Sequence, residues 1–78
     1  MNIPDPAVNY GDSVMVHNYR SKRKDGLKLW EEGVVRGLSY RNDLGEFSWY
    51  YEVMLVRRSN KNKVMWLYVG DDEIKKNY

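Results

Sequence analysis

The sequence predicts an all-β domain, a small barrel of about five short strands. Three observations lead there. Aromatic residues make up 14% of the 78-residue chain, as three Trp, seven Tyr and one Phe, and flat rings pack well on a pleated surface. Apolar and polar residues alternate with period two, most clearly from Phe47 to Arg57. Turn-forming residues punctuate the chain at regular spacing, and no stretch reads as a convincing helix.

The elements follow in order. Residues 1–10 hold both prolines, Pro4 and Pro6; proline fixes φ and removes a donor, so this segment reads as an extended lead-in to a domain spanning 11–78. Gly11-Asp12 turns the chain into a first strand, Ser13 to His17, with Val14 and Val16 on one face and Met15 and His17 on the other. A polar loop from Arg20 to Lys28 carries an Asp25-Gly26 turn. A second strand is expected from about Leu29 to Tyr40, with Gly33 and Gly37 inside it. Strand glycines mark bulges or sharp bends, and a sheet of few strands must bend to close. Arg41 to Gly45 is the next turn.

The run from Phe47 to Arg57 is the clearest strand. Trp49, Tyr51, Val53 and Leu55 share one face, and Tyr50, Glu52 and Met54 the other. Ser59-Asn60-Lys61-Asn62 makes a tight hairpin turn leading to a fourth strand over Lys63 to Val69. Gly70-Asp71-Asp72 suits a single 3₁₀ turn, and Glu73 to Lys76 a last short strand through Ile74. The competing arrangement is a plain antiparallel meander packed on a partner chain.

Composition bounds the function. At this length one domain forms, burying roughly 60% of its unfolded surface, so one thin core is expected and a deep substrate cavity is not. Charged residues at 31% and hydrophobic residues at 42% suit a folded domain. Without cysteine there is neither a disulfide framework nor a Cys-based zinc site. No apolar run approaches the roughly 20 residues of a membrane span, and no secretory signal is legible, so an intracellular protein with no membrane partner is expected. The net charge of +2 is only mildly basic, so the distribution of charge matters more than its sum.

Four segments together resemble the SH3-like barrel. Gly11-Asp12-Ser13-Val14-Met15-Val16 resembles its Gly-Asp-x-Val-x-Val opening, and Trp30-Glu31-Glu32-Gly33-Val34-Val35 its Trp-x-x-Gly-x-Val second strand. Tyr51-Glu52-Val53-Met54-Leu55 is similar to its third strand, and residues 69–74 fall where it carries a turn and a final Ile or Leu. Order and spacing are similar to those of Tudor and Agenet domains and of the SH3-like C-terminal domain of retroelement integrases. The resemblance covers about Tyr10 to Lys76. It implies a five-stranded SH3-like (Tudor-like) barrel that binds rather than catalyses, with function in its loops and one exposed face.

Two sets of residues are candidates for binding. Arg20, Lys22, Arg23, Lys24 and Lys28 fall within nine residues of one loop, and Arg57, Arg58, Lys61 and Lys63 flank the late hairpin. Such cations neutralise phosphates and release counterions, which points to nucleic acid, DNA or RNA, as the partner. The patch requires Glu31, Glu32, Asp71, Asp72 and Glu73 to lie elsewhere; otherwise the loop is a solvated charged surface. The second set is aromatic: Trp30, Tyr40, Trp49, Tyr50, Trp66 and Tyr68. The Tudor resemblance implies a cage of such rings around a methylated Lys or Arg, held by cation–π attraction, with Asp43 or Glu52 as its acid. The same rings can stack on unpaired bases, or pack as core. A third class is a structural subunit whose strand edges pair with a partner.

No catalytic site, metal site or cofactor is expected. Asp71-Asp72-Glu73 lacks convergent partners for a metal. His17 lacks the positioned partner that a general base needs and reads as a surface histidine. Type II dihydrofolate reductases are also short SH3-like chains, and use a Gln-Ile-Tyr segment on a late strand. The comparable segment here is Trp66-Leu67-Tyr68, so that activity is not expected.

Overall fold

Alternation of side chains governs every strand in the computed structural model, which describes residues 3–20, 29–43 and 45–77. The elements are β1 (Ser13–His17), β2 (Trp30–Asn42), β3 (Phe47–Leu55), β4 (Trp66–Gly70), a 3₁₀ turn (Asp71–Glu73) and β5 (Ile74–Lys76). They form one antiparallel sheet in the order β4-β3-β2-β1-β5. No α-helix occurs among the described residues. The fold is the expected all-β one.

The inward residues of each strand meet in one core: Val14 and Val16 from β1, Val35 from β2, Tyr51, Val53 and Leu55 from β3, Leu67 and Val69 from β4, and Ile74 from β5. The outermost strands, β4 and β5, reach the same core, so the sheet curls on itself into a small barrel-like form, consistent with an SH3-like fold. Burying each Val or Leu contributes about 1.5–3 kcal/mol. Val8 of the lead-in, 1% exposed, is part of this core. The lead-in is held further by Trp49 Nε1, which donates to the Pro4 carbonyl at 2.7 Å.

Both strand glycines have a physical role. The β2–β3 register shifts between Val35 and Gly37. Arg36 is the extra residue and points to solvent, as at a β-bulge. At Gly33 a Cβ would stand 2.3 Å from Val53 Cγ1 and 3.0 Å from the Met54 carbonyl oxygen. β3 crosses β2 there too closely for any side chain.

Three strand limits differ from the sequence reading by two residues or more. β2 runs on to Asn42, because Tyr40, Arg41 and Asn42 pair with Trp49, Ser48 and Phe47. β3 stops at Leu55, not Arg57, as the chain turns at Val56–Arg58. β4 begins at Trp66, not Lys63, because local side chains capture the backbone before it. Asn60 Oδ1 accepts from the amides of Asn62 and Lys63, at 2.8 and 3.0 Å, and Ser59 Oγ accepts from Met65 N–H at 2.9 Å. Side-chain acceptors of this kind compete with strand ladders.

β4 lies at one end of the sheet order, and its backbone polarity follows from one bond. Leu55 N–H donates to the Met65 carbonyl at 2.9 Å. In the same register Val53 pairs with Leu67 and Tyr51 with Val69. Hydrogen-bonded pairs alternate along an antiparallel ladder. Trp66 and Tyr68 therefore turn their N–H and C=O groups away from β3, toward the outer edge.

Candidate functional site

The outer face of β3 and β4 carries a group of aromatic side chains, two of them exposed. Period-two alternation puts Tyr50, Glu52 and Met54 of β3 outward, with Trp66 and Tyr68 of β4 beside them. Tyr50 and Tyr68 stack with ring centroids 5.6 Å apart and planes within 5°. The Arg41 guanidinium lies 5.6 Å from the Tyr68 ring centre and 6.0 Å from that of Tyr50. Arg41 Nη1 donates to the Tyr68 hydroxyl at 2.8 Å, and Ser39 Oγ shares a hydrogen bond with the same hydroxyl at 3.1 Å. Asp43 neutralises part of Arg41 at 3.0 Å, in an exposed pair. Gly37 leaves a cleft bordered by Leu38, Ser39, Arg41, Glu52 and Tyr68. Trp66 and Tyr68 remain 44% and 37% exposed.

The other candidate rings lie apart from this group. Tyr40 stacks on Phe47, with centroids 5.3 Å apart and planes at 21°, and sits 5.3 Å from Trp49. These three continue the inner face past the core, where Trp49 is tied to Pro4. Trp30 lies on the outer face of β2, 6.2 Å from the His17 ring, with the Lys75 ammonium 4.3 Å from its centre. The six rings proposed for a cage thus fall into separate groups. In two of these groups a cation of the chain itself lies over the ring. Phe47, exposed at the β2–β3 hairpin, joins the Tyr40 group unforeseen; its cross-strand pairing with Asn42 was the missing signal.

The candidate cations also divide. Lys22, Arg23, Lys24 and Lys28 lie outside the described residues, as does the Asp25-Gly26 turn. Arg20 is exposed, with its guanidinium 5.8 Å from the Tyr19 ring centre. Arg58 Nε donates to Glu31 Oε1 at 2.8 Å. Glu31 and Glu32 share a cleft with Arg57, Arg58 and Trp30. Acids therefore stand among the hairpin arginines, and the condition that Glu31 and Glu32 lie elsewhere is not met on this side. Lys61 and Lys63 are exposed at the tip, in front of β4.

Glu31 is the best-held of these charges. Burial pushes its carboxyl up. Hydrogen bonds from Arg58 and from the buried Asn18 amide, with the charges of Arg58 and Arg57, outweigh that and hold it below the ordinary carboxylate range. The arrangement clamps the 18–20 turn to β2 and to the hairpin, since Asn18 Oδ1 also accepts from Arg20 N–H at 3.0 Å. A buried charge is retained only when paired and hydrogen-bonded in this way.

His17 faces Glu73, with Nδ1 3.5 Å from Oε2. Among the described residues no group of three or more His, Cys, Asp or Glu side chains converges as a metal site would require. No helix among them is long and apolar enough to cross a membrane. Comparisons with protein-family models, with curated proteins and with solved structures find no match to this chain.

Proposed function

We propose that this domain is a non-catalytic binding module for nucleic acid, and that single-stranded segments lie along the outer face of β3 and β4. One observation carries the reading: exposed Trp66 and Tyr68, with half-buried Tyr50 stacked on Tyr68, are flanked by Arg41 on one side and preceded by Lys61 and Lys63. Every base has a π face, so rings in such a row take bases without regard to sequence, while nearby cations hold the phosphates. Arg20 adds to the cationic surface in this reading, the basic residues at 22–28 lie outside the described residues, and Arg57 and Arg58 contribute less because acids accompany them. The barrel would be of the Tudor, Agenet or integrase C-terminal kind. A methyl-lysine cage is the weaker reading, because the candidate rings lie in separate groups and do not converge around one cation.

The test is fluorescence anisotropy with labelled single-stranded DNA, duplex DNA and RNA over a salt series. Binding should be strongest for single strands, and its logarithm should fall linearly with the logarithm of salt concentration. Tyr68→Ala and Trp66→Ala should each weaken single-strand binding by about 1–3 kcal/mol. Lys63→Glu should reduce the salt slope by about 1 or more. Absence of binding to all three at low salt would sink the proposal, and binding of a trimethyl-lysine peptide in their place would favour the cage.

A further inference from the structure

We propose that the outer edge of β4 pairs antiparallel with β4 of a second copy of this chain, giving a two-fold dimer whose sheets run continuously through the interface. The inference does not rest on the nucleic-acid reading, although both use Lys63, Trp66 and Tyr68.

The first observation is the edge itself. Trp66 and Tyr68 direct their backbone N–H and C=O groups outward, and no hydrogen bond among the described residues reaches those groups. Unpaired edges of this kind template another strand. Natural edges are usually blunted by a lysine, a proline or a bulge within the strand, but Trp66–Gly70 has none of these. It presents the exposed side chains of Trp66 and Tyr68, with Val64, 44% exposed, just before it.

The second observation is that this edge is complementary to itself. Its beginning is cationic, with Lys61 and Lys63, and its end is acidic, with Asp71 and Asp72. An antiparallel copy brings each cationic end to the acidic end of the other chain. A parallel copy would set like charges together.

Backbone pairing then limits the register. The new ladder must join residues whose groups point outward, so Trp66 and Tyr68 have to face one another or themselves. The register with Trp66 opposite the second copy's Tyr68 forms two aromatic cross-strand pairs and brings the Lys63 end of β4 beside the second copy's acidic turn at Asp71 and Asp72. Cross-strand aromatic and opposite-charge pairs each contribute about 0.2–1 kcal/mol. A closed two-fold arrangement uses the edge once in each chain and leaves no growing end at β4.

Sedimentation velocity without nucleic acid, over a concentration series, tests the dimer. The wild-type chain should shift from monomer to dimer as concentration rises. Lys63→Glu and Asp72→Lys should each weaken the dimer about tenfold, since each juxtaposes like charges twice. An equimolar mixture of the two variants should dimerise more tightly than either variant alone, because the mixed dimer keeps one wild-type contact and at the other sets the introduced glutamate beside the introduced lysine. Asp71 is left unchanged because it holds the Tyr51 hydroxyl. Arg36→Glu, at the exposed bulge of β2 two strands in from this edge, should leave the dimer unchanged. A wild-type chain that stays monomeric throughout overturns the proposal. So does a dimer that neither variant weakens, or a mixture that dimerises no more tightly than either variant alone.

Discussion

The Tyr51 hydroxyl links Ala7 to Asp71: it accepts from the Ala7 N–H at 2.8 Å and donates to Asp71 Oδ1 at 2.6 Å. One buried side chain on β3 thus fastens the lead-in and the 3₁₀ turn to the core. Tyr51→Phe keeps the ring but strips both bonds and leaves the Ala7 amide without its acceptor. The cost should be about 1–3 kcal/mol, read as a lower urea midpoint with an unchanged slope.

The same hydroxyl gives the domain an alkaline limit. Burial first, and then the Asp71 carboxylate, push its pKa up to about 12. An unfolded tyrosine ionises near 10. The folded value is raised, so the stabilisation is complete below about pH 10 and lost as pH rises toward 12. Denaturant midpoints measured across that window should fall for the wild-type chain, and fall less steeply for Tyr51→Phe.

Glu31 sets a limit on the acid side. Its carboxyl is held below the ordinary range against the opposing push of burial. With a depressed folded value, its stabilisation is present above the unfolded carboxylate pKa, near 4.3, and disappears as pH falls through and below the folded value. Glu31→Gln should lower the neutral-pH midpoint and flatten its decline in acid. An identical acid limb in both proteins would place the loss at other carboxylates.

Two glycines of β2 should respond differently to alanine. Gly33→Ala drives a methyl group into Val53 Cγ1 and the Met54 backbone, and should cost about 1–3 kcal/mol by overpacking. At Gly37 the nearest atom, at 2.9 Å, is Oε2 of the exposed Glu52 side chain, which can swing aside, and Glu52 Cβ at 3.3 Å has to give by only a few tenths of an ångström. Gly37→Ala should therefore stay within about 1 kcal/mol of wild type. Thermal melts of the two variants decide this.

The hairpin tip offers a local test. Asn60 Oδ1 holds two backbone amides, so Asn60→Ala should cost about 1 kcal/mol and raise amide exchange at Asn62 and Lys63 first.

Alternation made most of the fold legible. Val14, Val16, Tyr51, Val53 and Leu55 all point inward as their spacing requires, and glycine within β2 marked the bulge. The start of β4 was not legible in this way: Val64 and Met65 continue the apolar pattern, and only the hydroxyl of Ser59 and the amide of Asn60 show why the ladder begins later. The candidate rings were legible as residue types and as faces. Their grouping was not, because Tyr50 meets Tyr68, and Tyr40 meets Phe47, only through the register between strands. The Glu31–Arg58 pair is hidden for the same reason, since it joins residues 27 positions apart.

The placement of β5 beside β1 has a kinetic consequence. Strands β2, β3 and β4 follow one another as neighbours and can zip from their turns. β1 takes its second neighbour from the far end of the chain, where Asn77 Nδ2 donates to Ser13 Oγ across 64 residues. Closing a loop of that length carries an entropy cost before any contact offsets it, and such topologies fold slowly. The meander is the expected nucleus, and docking of Ile74 the expected last step. A chain that has not yet docked β5 exposes the free side of β1 as an additional unpaired edge, so crowding of unfinished chains, rather than of finished ones, is where misassembly of this small domain begins.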